Sequence, residues 1–130
     1  MHTYDIQLRR TDMDALEHLN NVVFAQYLDE ARADLLDRHE SGAEPWRVVV
    51  ASQRLTFRMP LVFRTEPVSV TSVVDRIGNT SFTLVHEVRD DAQLYLSAIS
   101  TLVAIQDGMP RPLTAAEREY LGTLRNSESD

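Results

Sequence analysis

The chain of 130 residues contains no cysteine, which removes disulfides, thiolate metal sites, iron–sulfur clusters and cysteine nucleophiles together. It contains no lysine either. All 13 basic residues are arginine, so Schiff-base chemistry and phosphate-loop lysines are excluded as well. Against them stand 20 acidic residues, for a net charge of −7, a poor basis for non-specific nucleic-acid binding. Long hydrophobic runs are also missing. The longest nearly apolar stretch, 94–105, is broken by Ser97, Ser100 and Thr101 and falls short of the roughly 20 residues a membrane helix needs. The opening MHTYDIQLRR lacks the apolar core of an export signal, so a cytoplasmic protein with no membrane partner is expected. His2, His18, His39 and His86 show no metal-ligand spacing, and His39 beside Glu40 reads as solvated. Neither a metal nor a cofactor is expected.

What is present is the balance of one folded domain spanning 1–130, with 43% apolar and 25% charged residues. Tyr4, Ile6 and Leu8 alternate with polar neighbours at the period of a half-buried strand. Leu19, Val23, Tyr27, Ala31 and Leu35 then recur every fourth residue, widened by Phe24, Leu28 and Leu36, which predicts one long helix. Asn20 or Asn21 is placed to cap it, and residues 40–45, with Gly42 and Pro45, to stop it. Four strands are predicted over 48–57, 67–77, 81–88 and 94–105, rich in Val, Thr, Ile, Leu and Phe. Their short connections favour antiparallel hairpins. The run 107–110 closes the sheet, a capping box of Thr114 and Glu117 opens a short helix, and 126–130 reads as a frayed end. A helix apolar along one stripe needs a sheet to bury it. The predicted fold is therefore α+β, an antiparallel sheet wrapped around one long central helix.

The densest cluster of functional side chains runs from Asp12 to Arg32: Asp12, Asp14, Glu17, His18, Asn20 and Asn21, then Tyr27, Glu30 and Arg32. Read alone, Asp12 and Asp14 are turn residues of the kind that precede helices for dipole reasons. The run resembles the entrance motif of the hotdog-fold acyl-thioester hydrolases, the 4-hydroxybenzoyl-CoA thioesterase-like family. That motif reads approximately Asp-x-Asp-x-x-Gly-His-Val-Asn-Asn, followed by Glu-Ala-Arg on the helix. The resemblance continues through Phe57-Arg58-Met59-Pro60-Leu61, then Arg76 to Phe82 and the last strand with Pro110-Arg111-Pro112-Leu113, and covers nearly the whole chain.

The resemblance implies a hotdog fold and hydrolysis of an acyl-CoA to free acid and coenzyme A. It makes Asp14 the nucleophile or general base, the backbone N–H of Asn21 the oxyanion donor, and His18 a partner at the thioester or at Asp14. The chemistry is reasonable, because a carboxylate and unpaired N–H groups at a helix start serve attack and oxyanion binding together. Phe24, Tyr27, Arg58 and Ser81 are the expected substrate-binding residues. Read from the residues alone, Phe24 and Tyr27, like Trp46, favour core over pocket wall, and pocket length would depend on packing around Phe24, Trp46 and Phe63. Asp12 reads as structural, and Glu30 with Arg32 as a surface or interface pair.

Some members of the family carry basic residues before the Ser-Phe strand. This chain has Gly78-Asn79-Thr80 there, so a phosphate site is expected either elsewhere, near Arg54, Arg58 or Arg76, or weak. Glu17 stands where the family usually has glycine. A positive φ would make Glu costly there, and otherwise it would set a like charge near Asp14. The fold implies a homodimer or homotetramer. Two rivals share it: an acyl-thioester dehydratase or hydratase, for which Asp14 and His18 have the spacing but the flanking Gly and Pro are missing, and a non-catalytic acyl-thioester-binding module.

Overall fold

Period-two alternation shapes most of the protein, seen in a computed structural model that describes residues 1–39 and 46–125. The elements follow as β1 (His2–Ile6), α1 (Asn21–Asp37), β2 (Val48–Phe57), β3 (Val68–Ile77), β4 (Ser81–Arg89), β5 (Leu94–Gln106), β6 (Met109–Pro110) and α2 (Ala115–Thr123). A 3-10 turn at Arg10–Asp12 precedes α1. The strands form one six-stranded sheet in the order β1-β3-β4-β5-β2, with β6 paired to β5. Every pairing between them is antiparallel. The four longest strands lie within one residue of their expected bounds. The expected helix stop over 40–45 and the expected frayed end at 126–130 lie outside the described residues.

Helix α1 starts where the Asn20 side chain accepts the Val22 N–H at 2.9 Å, so Asn20 rather than Asn21 is the cap. Its buried stripe is Phe24, Tyr27, Leu28, Ala31 and Leu35, the fourfold spacing read in the sequence. The stripe packs on the face formed by Val68, Val70 and Val74 of β3, Phe82, Leu84 and Val88 of β4, and Leu96, Ala98 and Leu102 of β5. Leu28 and Leu35 are fully buried, each contributing about 1.5–3 kcal/mol by removal from water. At the far end, Leu121 and Leu124 of the C-terminal segment close the core, and α2 carries the expected capping box. Residues 107–110 do more than close the sheet. Asp107 (φ 52°) and Gly108 (φ 76°) make a two-residue turn with both φ values positive, which begins β6. No helix among the described residues is long and apolar enough to cross a membrane.

Polar groups interrupt this core in places that alternation does not reveal. Arg32 is only 5% exposed, so it is not the surface partner of Glu30 that its sequence context implies. Its guanidinium donates to Gln53 Oε1 at 2.6 Å and Ser100 Oγ at 3.3 Å and pairs with Asp29, which ties α1 to β2 and β5. His86 is fully buried, its Nδ1 2.8 Å from Ser72 Oγ on the neighbouring strand. His2 Nε2 lies 2.7 Å from Asp34 on α1. His39 is half-buried rather than fully solvated, packed among Trp46 and Tyr120 with ring centroids 5.1 and 5.0 Å away.

Candidate active site

The segment leading into α1 is a tight loop. The Asp14 N–H donates to the His18 carbonyl at 2.7 Å, and the Glu17 N–H returns to the Asp14 carbonyl at 3.0 Å. Glu17 has φ 63°, the left-handed conformation that glycine adopts without strain. The loop is stitched to the segment after β2 by Leu19 N–H to the Leu61 carbonyl at 2.8 Å and Phe63 N–H to the Glu17 carbonyl at 3.2 Å. That second segment is itself held by Arg58 N–H to the Tyr95 carbonyl at 2.9 Å.

This geometry fixes the Asp14 carboxylate. Its Oδ1 accepts the backbone N–H groups of Leu16 at 2.9 Å and His18 at 3.0 Å. Among the described residues Oδ2 has no hydrogen-bond partner, and the side chain is exposed. Asn21 is the first residue of α1, and its N–H likewise has no acceptor among the described residues. No acidic side chain lies in the first helical turn, so nothing there offsets the positive end of the helix dipole. Asp14, His18, Asn21 and Phe24 line one groove of about 220 Å³, facing Phe57, Arg58, Met59 and Pro60 across it. A carboxylate in such a place can take a proton or attack an electrophilic carbon, and the free N–H can receive the anion that forms.

Of the residues expected from sequence, the structure brings Asp14, His18, Asn21, Phe24 and Arg58 together. Tyr27 is not among them. It is buried and its hydroxyl donates to Asp12 at 2.8 Å, so the stripe that carries Phe24 to the groove carries Tyr27 into the core. Burial, reinforced by the Asp12 carboxylate, pushes the Tyr27 pKa upward. Burial also pulls the Asp12 pKa upward, but hydrogen bonds from Arg9 at 3.0 and 3.1 Å and from Tyr27 outweigh it and hold the carboxyl below the ordinary carboxylate range. Asp12 is a structural anchor. Ser81 is also absent from the groove: it opens β4 beside the Gly78 turn, at the end of the sheet where Leu35 and Phe82 meet.

Trp46 packs on Phe82, and Phe63 sits under the Arg10 guanidinium at 4.2 Å, so neither sets the depth of the groove. Arg54 and Arg76 lie on strands away from it, leaving Arg58 as the arginine at its mouth. Phe57, Met59 and Pro60 are walls that the sequence reading took only as a strand end and a turn. An apolar side chain in the last position of β2, three residues before a proline, was the available signal. Among the described residues no three His, Asp or Glu side chains gather as a metal-ligand set.

The fold is that of the hotdog thioesterases. A thioesterase from Thermus thermophilus, solved with coenzyme A and zinc, is 28% identical, with a TM-score of 0.84 over 94% of this chain and 92% of that one. The PA2801 protein of Pseudomonas aeruginosa is 30% identical, with a TM-score of 0.77 over 91% and 95% of the two chains. A predicted thioesterase from Bacillus stearothermophilus, at 22% identity, superposes with a TM-score of 0.86 over 95% and 96% and speaks for the fold alone. No curated protein matches. The sequence profile of the thioesterase-like superfamily matches residues 8–116, and the chain belongs to that superfamily.

Proposed function

We propose that the protein hydrolyses acyl-CoA thioesters in the groove at the start of α1. The observation that carries this reading is the meeting of a fixed carboxylate, Asp14, and a free helix N–H, at Asn21, in one groove. The coenzyme A bound by the Thermus thermophilus thioesterase supports coenzyme A as the thiol carrier. A thioester carbonyl has weak resonance stabilisation, so Asp14 is adequate to it either as nucleophile or as base for a water. On the base route, water adds to the carbonyl carbon while Asp14 takes its proton. The oxygen becomes an oxyanion against the Asn21 N–H, a donor of the kind whose loss typically costs about 2.7–4 kcal/mol. The C–S bond then breaks and the proton passes to the departing thiolate. His18 lines the same wall and positions the thioester, and Arg58 meets the polar part of coenzyme A at the mouth.

The working unit in this proposal is a homodimer, with a homotetramer built from two of them. Strand β2 is one edge of the sheet, and Val49 and Val50 on it are exposed. Pairing two such edges would satisfy their backbone groups and cover those side chains. Release of thiol from acyl-CoAs, followed with a chromogenic disulfide, tests the activity. Turnover is expected, and its absence on every acyl-CoA tried would remove the hydrolase reading. Sedimentation should give a mass at least twice the 14.8 kDa of the chain, and a monomer would remove the dimer.

A further inference from the structure

A belt of polar side chains divides the core in two. On the face of the sheet that carries α1, His2 of β1 stands opposite Ser72 of β3, and Ser72 opposite His86 of β4. The belt then steps along β5 to Ser100, the diagonal neighbour of His86, and ends at Gln53 of β2 opposite Ser100. His2, Ser72, His86 and Ser100 are all buried. On one side of the belt Val70, Val88 and Leu96 share a cluster with Leu28 and Ala31, and that cluster reaches Phe24 at the groove. On the other side Val74, Leu84 and Leu102 share a second cluster with Leu35, closed by Leu121. Helix α1 therefore advances along the strands and crosses the belt between Ala31 and Leu35.

Arg32 lies at that crossing and is the one charged side chain among the buried residues of α1. Its guanidinium donates to Gln53 and Ser100 and pairs outward with Asp29, whose side chain is exposed. Apolar contact is non-directional, so a wholly apolar stripe would let the helix settle at more than one axial position. Arg32 removes that freedom. Sliding α1 by one turn of 5.4 Å would set the guanidinium against Leu84 and Leu102, or against Val88 and Leu96, without partners. A buried charge left so is strongly disfavoured. At 1.5 Å per residue Asn21 lies about 16 Å away on the same helix, so fixing Arg32 along the axis fixes the Asn21 N–H beside Asp14.

We infer that Arg32 is a positioning residue: held in the polar belt, it sets the axial position of α1 and thereby the place of the Asn21 N–H at the groove. The inference rests on the acyl-thioester reading of that groove. A misplacement of about 1 Å at a reacting centre can cost about 10²-fold in rate.

The test compares wild type with Arg32→Met. This change strands no charge, because Asp29 stays in water and Ser100 still donates to Gln53 at 3.0 Å. The urea midpoint should match that of wild type, while kcat on hexanoyl-CoA falls by about 10–100-fold and KM stays within a few-fold. Gln53→Leu removes an acceptor and keeps the guanidinium; it should give the same signature, and it carries the test if Arg32→Met does not fold. Arg38→Met, which removes an exposed arginine at the end of α1, is the control and should change neither kcat nor KM. Amide resonances of Asn21 and Val22 read the helix position without substrate. They should shift in Arg32→Met and Gln53→Leu and stay in Arg38→Met. A kcat within a few-fold of wild type in Arg32→Met and Gln53→Leu, or a loss that only follows a lowered urea midpoint, overturns the positioning role. Wild type that releases no thiol from any acyl-CoA removes the hydrolase reading instead. The resonances then decide alone: a shift supports the role of Arg32, and unmoved resonances remove it.

Discussion

Glu17 offers a clean perturbation at the loop that aims Asp14. Its φ of 63° places a side chain in a conformation that costs an L-residue roughly 1–2 kcal/mol. Glycine removes that strain but has more freedom to lose on folding, an opposing cost of about 0.4–1 kcal/mol. The carboxylate itself contributes little. Its ion pair with Arg10 is 3.8 Å long and both side chains are about 70% exposed. The net expectation for Glu17→Gly is a gain of about 0.5–1 kcal/mol, read as a higher urea midpoint at unchanged slope. Glu17→Ala is the control, because it removes the carboxylate and keeps the Cβ. It should leave the midpoint nearly where it was. A Glu17→Gly protein less stable than wild type, with Glu17→Ala equally destabilised, would refute the reasoning and make the carboxylate the reason for Glu at this position.

Other consequences are equally direct. Burial first, then the charges of Arg32 and His2, lowers the His86 pKa from 6.5 to about 3, so the folded protein keeps this histidine neutral while the unfolded chain protonates it below about pH 6.5. The unfolded state binds more protons between those values, and stability should fall by about 2–3 kcal/mol as pH drops from 6.5 to 4.5. Urea titrations across that window should show a shallower slope for His86→Leu, and equal slopes would contradict the neutral histidine. Asn20→Ala removes the α1 cap and should cost about 1 kcal/mol of stability in the same assay. Tyr27→Phe removes a hydrogen bond to a buried carboxylate, and a loss of about 1.5–3 kcal/mol is expected with the chain-length profile of turnover unchanged. A changed profile would return Tyr27 to the substrate.

The legible part of this sequence was local pattern. The alternation of the first strand, the β-rich runs of the four later ones and the fourfold helix stripe led to the sheet, the helix and their contact. The capping box at Thr114, and the α1 cap to within one residue, were legible for the same local reason: each acts within three residues. The entrance loop was legible because its residues are close in sequence, and the positive φ at Glu17 was one of two alternatives the family pattern raised, between which the backbone decides. Long-range polar pairing was not. Arg32 looks like a surface charge until Gln53 and Ser100, from two strands, are placed against it. Tyr27 shares a stripe with Phe24, and only the position of Asp12 decides which of them meets the groove. His39 needed Tyr120, 81 residues away, to become a half-buried side chain. The far wall of the groove comes from the segment after β2, and its partnership with residues 14–21 depends on backbone hydrogen bonds that side-chain pattern does not encode.

The most direct test is the turnover of Asp14→Asn against wild type on hexanoyl-CoA, with binding of the same acyl-CoA measured alongside. Asparagine keeps the Oδ1 that accepts the Leu16 and His18 N–H groups, so the loop should hold its shape. The account predicts kcat lower by about 10²–10⁴ with binding within a few-fold of wild type. Turnover within a few-fold of wild type would contradict it, and would move the chemistry away from Asp14.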